Sequence, residues 1–276
     1  MTPPVQGRQH VLGLENIGFI VLTFVVVLVT HAIAYLTHEY AHSITAWTLG
    51  WMSRPFGIDY GHATLGNLVF LGDVSDNVDY EPIFASGHGW MAAAIALAGP
   101  FLGNGVVYIL LQVLMSRSLV ASRRHMSLFL YWLSLMCAAN VWSYVPIRAI
   151  TTHADIAWAA RGLGVSTWVL FPFLMAISAS ITWHFFQHAF RKAHTILAGG
   201  SYVNLIVLVA FTGFWFFSFF GGDGMDGSYG TLSQVLSILS RYALFPLCVA
   251  YLAARYLDLR SMGGRADNVA TSSSRS

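Results

Sequence analysis

The chain has 276 residues, of which 56% are hydrophobic and only 9% charged, and its formal net charge is +2. Soluble globular chains carry about 25% charged residues, so the composition excludes an ordinary water-dissolved domain. The net charge by itself says little, and no nucleic-acid partner is expected.

Residues 1–16, MTPPVQGRQHVLGLEN, form a short polar segment. The apolar run that follows is too long for a signal-peptide core and has no small-residue cleavage site after it. It therefore reads as a retained first helix. Apolar runs near 17–37, 90–115, 127–147, 167–187, 201–221 and 231–253 each approach the roughly 20 residues that cross a bilayer core. The fold expected is an all-α membrane protein of about six transmembrane helices. Between the first two runs lies the polar-leaning stretch 51–89, where Gly, Asp and Asn punctuate short apolar pieces. Its pattern predicts a short β-like interfacial segment, with 63–71 as a candidate edge.

Arg117, Arg123 and Arg124 share one loop, and Arg191 and Lys192 another. Arg255, Arg260 and Arg265 follow the last run, and with Arg8 all of these fall on one side of six alternating helices. By the positive-inside rule both termini are cytoplasmic. The compact size and short loops point to a bacterial inner membrane. The glycine-rich turn GGDGMDGSYG at 221–230 places Asp223 and Asp226 as in a fragment of a calcium loop, but too few ligands accompany them. It reads as a solvated turn. FWFFSFF at 214–220 reads as lipid-facing or gating packing. The polar tail 256–276 reads as disordered. Cys137 and Cys248 lie in separate apolar runs and read as small buried hydrophobes.

One stretch of the first helix breaks the apolar pattern. His38-Glu39-Tyr40-Ala41-His42 matches H-E-x-x-H. On a helix, residues four apart face the same way, so both imidazoles can bind one zinc ion and Glu39 stays free as a general base. Polar groups that only pack helices together are the alternative, but three ionisable groups within one turn are expensive in a membrane. A hydrolytic zinc site needs a third protein ligand and an open position. His31 is about 10.5 Å along the axis from His38, too far to share an ion. Topology leaves His62, His88, His153 and Asp155 on the correct side, and spacing does not choose among them.

Here the sequence resembles a known family. THEYAHSITAWTLG is similar to the first signature of the site-2 proteases, peptidase family M50. Ala98-Gly99-Pro100-Phe101-Leu102-Gly103-Asn104 is similar to that family's AGP-x-x-x-N element. Asn140-Val141-Trp142-Ser143-Tyr144-Val145-Pro146 and then Asp155 are similar to its N-x-x-P-x-x-x-L-D-G region, with wider spacing and no L-D-G. The resemblance covers about 17–165 and marks that stretch as a catalytic membrane core, with 166–255 as additional helices. It implies one zinc ion per chain on His38, His42 and Asp155; the departure from L-D-G leaves His153 as a rival ligand or a partner that orients the carboxylate. Glu39 then serves as general base, and Asn140 is a candidate for holding the substrate backbone or stabilising the oxyanion, with a helix-packing amide as the alternative reading. The activity implied is hydrolysis of peptide bonds in or near membrane-spanning segments of protein substrates. A non-enzymatic membrane metal binder or transporter is the alternative; it would not require Glu39 beside the first histidine.

Overall fold

The computed structural model describes residues 13–117 and 123–257. The expectations for residues 1–12, for 118–122 and for the tail from 258 onward, with Arg8, Arg260 and Arg265, lie outside them. Among the described residues, six helices are long and apolar enough to cross a membrane. These are α1 (Leu14–Thr48), α4 (Gly89–Met115), α5 (Arg124–Ile147), α7 (Thr167–Ala198), α8 (Tyr202–Gly222) and α9 (Thr231–Tyr256). Three short helices lie between them: α2 (Leu65–Phe70), α3 (Tyr80–Ala85) and α6 (Asp155–Gly162). A helix is the natural answer to an apolar solvent, because every backbone N–H and C=O is satisfied within the segment.

α1 runs on for eleven residues past the apolar run that announces it. Its 35 residues span about 52 Å, well beyond a hydrocarbon core of about 30 Å. Hydropathy sees the span, while the hydrogen-bond ladder continues through Thr37 to Thr48. The H-E-x-x-H residues therefore sit inside a regular helix whose following turns hold their direction.

α5 is the axis of the bundle. Of its most apolar window 94% is buried, against 22% for α7 and 17% for α9. Trp132, Leu135 and Met136 on α5 share one apolar cluster with Tyr108 on α4, Phe185 on α7, Phe216 on α8 and Leu252 on α9. The expected catalytic core and the additional helices thus share a common hydrophobic interior. The Tyr131 hydroxyl pairs with Thr212 at 2.6 Å, so this buried phenol is not left without a partner.

The interfacial segment differs from expectation. Among the described residues it forms no strand, and its one β-type pairing is an isolated antiparallel bridge between Asp59 and Ser75. The candidate edge 63–71 contains α2 instead. Thr64 caps that helix by accepting from the Asn67 amide at 3.1 Å. The Asn67 side chain donates to the carbonyls of Tyr60 and His62 and accepts from Asp73 N–H. One amide therefore satisfies three loop groups that a strand partner would otherwise take up. Gly61, at φ +64, lies so close to Asp73 that a Cβ would meet its Cβ at 2.4 Å. Local capping and a glycine close the loop on itself.

Candidate metal centre

His38 and His42 project from the same face of α1, with ring centroids 4.8 Å apart. Both are buried, at 1% and 2% exposure. Their neighbours fix which nitrogen carries the proton. His42 Nδ1 lies 2.7 Å from the Ile95 carbonyl, which can only accept. His38 Nδ1 lies 2.9 Å from Asn104 Oδ1. The Asn104 amide is oriented by donating its N–H to the Ala34 carbonyl at 3.0 Å. Each imidazole therefore donates from Nδ1 and presents a bare lone pair at Nε2.

Those two lone pairs converge. The Nε2 atoms are 3.1 Å apart. Asp155 Oδ2 lies 3.3 Å from His38 Nε2 and 3.2 Å from His42 Nε2. It is buried and has no hydrogen-bond partner. Three electron-pair donors so close together in a low-dielectric interior need a shared proton or a cation to offset their repulsion, and this group could hold a metal ion. Ligands held tetrahedrally at zinc bond lengths are about 3.3 Å from one another, and these three edges match that spacing. Two imidazoles and a carboxylate also suit zinc better than calcium or magnesium, which take oxygen ligands. The residues fit the ion.

α4 makes room for the cluster. Over Ala98–Val106 its turns widen to π-helical geometry, a distortion that often accompanies functional sites. Gly99 faces the histidines: a Cβ there would lie 2.1 Å from His42 Nε2 and 2.6 Å from His38 Nε2. Gly103 brings α4 against α1, where a Cβ would meet the Thr37 carbonyl at 2.7 Å. From α5, Tyr144 stacks on the His38 ring at 4.6 Å and 22°.

Glu39 sits beside the first histidine, 7% exposed, and among the described residues no group hydrogen-bonds its carboxylate. It opens onto a cavity of about 480 Å³ that also contacts His38, Asn140, Tyr144 and Arg148. Asn140 is buried with its Oδ1 unpartnered. Arg148 pairs with Asp223 at 3.1 Å, donates to Ser143 Oγ at 2.9 Å and lies over the Tyr144 ring. Burial opposes its charge, yet Asp223 and the two tyrosines beside it hold its pKa well above the ordinary arginine value. This pair joins the end of α5 to the glycine-rich turn after α8.

The structure brings His38, His42 and Asp155 together and places Glu39 and Asn140 on the cavity beside them. The other candidates lie elsewhere. His62 is exposed, with its nearest carboxylate, Asp73, at 3.8 Å. His88 precedes α4 and pairs with Ser86. His153 stacks on Tyr229 at 5.0 Å and is exposed. Sequence reasoning gave Ile95 and Tyr144 no role and used Asn104 only as part of a resemblance. A carbonyl leaves no residue-type signal, and an aromatic in an aromatic-rich chain is not conspicuous. Replacing Asn104 by Ala frees the His38 ring to turn; zinc affinity should fall about 10- to 100-fold, as measured by competition with a chromophoric chelator.

Comparison with known proteins gives no match to a family model, to a curated protein or to a solved structure.

Proposed function

We propose that this chain is an intramembrane zinc endopeptidase of the site-2 protease type, hydrolysing peptide bonds in or near the membrane-spanning segments of protein substrates. The observation that carries the reading is the convergence of His38 Nε2, His42 Nε2 and Asp155 Oδ2, with an unpaired glutamate next to them on a cavity. His38, His42 and Asp155 would hold one zinc ion. When bound there, zinc supplies Lewis acidity that makes water a usable nucleophile near neutral pH and polarises a carbonyl.

The chain's own groups do the rest. Asn104 and the Ile95 carbonyl keep both imidazoles in one tautomer and orientation. The Glu39 carboxylate, free of hydrogen bonds, accepts the proton of the attacking water and returns it to the leaving amine. The unpartnered Asn140 amide takes a hydrogen bond from the substrate backbone. A substrate helix shields its own peptide groups, so it must unwind before it can enter this cavity. The basic residues Arg123, Arg124, Arg191, Lys192 and Arg255 support a cytoplasmic placement of both chain ends, and the compact size and short loops favour a bacterial inner membrane.

The test is metal content and hydrolysis together. Protein purified in detergent should hold about one zinc per chain and cleave a fluorogenic peptide carrying a membrane-spanning sequence. Removing the metal with 1,10-phenanthroline should abolish cleavage, and added zinc should restore it. Protein that binds zinc tightly but cleaves no such peptide would favour a metal binder or transporter instead.

A further inference from the structure

Asp155 does not belong to a membrane span. It is the first residue of the short helix α6, and the residue before it, Ala154, has φ +71 and ψ 175. A non-glycine residue in that region is strained, and such strain persists only when surrounding contacts hold it. Ile156 of α6 packs in one apolar cluster with Tyr144, Val145, Ala149 and Leu174, and the other contacts come from α4 and the segment before it. α6 rests on the start of α4 through two glycines, Gly89 and Gly162. A Cβ on Gly162 would lie 2.2 Å from the Gly89 carbonyl, and one on Gly89 would lie 2.4 Å from the Gly162 carbonyl. Trp158 on α6 stacks flat on Tyr80 of α3, at 5.7 Å and 7°. Arg161 forms a two-pronged pair with Glu81 at 2.5 and 2.9 Å and lies over the Phe84 ring at 3.9 Å. Arg161 also holds the Glu81 carboxyl below the usual carboxylate range.

The same segment reaches the other side of the metal centre. The Tyr80 hydroxyl donates to Asp76 Oδ2 at 3.2 Å, and that oxygen lies 3.9 Å from His42 Nδ1. Tyr80 thus touches the helix that carries one ligand with its ring, and a carboxylate beside another ligand with its hydroxyl.

We propose that Tyr80, Glu81 and the Gly89–Gly162 contact are positioning residues that dock α6 and so set the affinity of the His38–His42–Asp155 site for its divalent cation. The inference rests on reading those three residues as a metal site. Undocked, α6 carries Asp155 away, and two histidines alone make a weak site. The apparent affinity then scales with the docked fraction. The extramembrane segment 76–89 becomes the part of the chain through which cation affinity is tuned.

The experiment measures zinc dissociation constants by chelator competition on the full chain, beside the unfolding midpoint of the metal-free protein. Gly162→Ala should weaken zinc binding about 10-fold or more, even though alanine is the better helix former. Tyr80→Ala should act in the same direction. Glu81→Arg should weaken binding about 5-fold, and the charge swap Glu81→Arg with Arg161→Glu should restore it. Because the Glu81–Arg161 pair is surface-exposed, these charge variants remain folded. Unchanged zinc affinity in Gly162→Ala and Tyr80→Ala would overturn the proposal while leaving the metal centre intact. So would losses that follow the metal-free unfolding midpoint in every variant. A wild-type chain that binds no zinc would remove the metal centre and this inference together.

Discussion

Glu39→Gln should lose peptide hydrolysis about 10²- to 10⁴-fold while keeping its zinc. The loss corresponds to about 3–5 kcal/mol of transition-state stabilisation. Glutamine has the same shape but cannot accept and return a proton at this position. Zinc should remain because Glu39 is not among the three converging donors. Stability should hold or rise, since Glu39 is largely buried and a neutral amide costs less to bury than a carboxylate. Measuring zinc content, unfolding midpoint and turnover on the same preparation separates a chemical loss from a structural one. Turnover equal to wild type would remove Glu39 as the proton-transfer group.

Gly99→Ala should empty the site. A methyl group at this position would sit 2.1 Å from one Nε2 and 2.6 Å from the other, which is close to where a zinc ion bonded to both nitrogens must lie. The atoms it meets are ring nitrogens held by Ile95 and Asn104 at their other ends, so they have little room to withdraw. Bound zinc should fall from about one per chain to a small residue at micromolar free metal, and hydrolysis should fall with it. Gly105→Ala is the control. Its Cβ would meet nothing nearer than the Pro100 carbonyl at 3.6 Å, so zinc and activity should stay near wild type. Loss of zinc in both variants would mean that any methyl in this part of α4 disturbs the helix, and the specific role of Gly99 would fall.

The two substitutions also show how much of the site is legible without coordinates. Glu39 is visible in the sequence because its chemistry depends on local spacing: on a helix, four residues return the chain to the same face. Gly99 belongs to a motif, but its reason lies in a distance to residues some sixty positions earlier. Asn104 is similar: its partner is a histidine on another helix, and only the packing of α4 on α1 brings them together. Asp155 was one of four candidates on the same side. Choosing among them by geometry needs the docking of α6.

What the sequence determines by itself is what depends on local periodicity and solvent. Long continuous apolar runs favour helices in a lipid-like medium, because a helix satisfies its backbone within the segment, and among the described residues six such helices are present. The helical repeat puts His38 and His42 on one face with Glu39 between them. What only the tertiary structure decides depends on contacts between distant segments. The stretch 51–89 reads as strand-like from its short apolar pieces, yet Asn67 and Thr64 close it into a capped helix. The tautomers of the histidines come from a carbonyl and an amide on α4. The position of Asp155 comes from a glycine contact and an aromatic stack outside the spans. These are sums of small, non-local interactions, and one sequence position does not encode its partner.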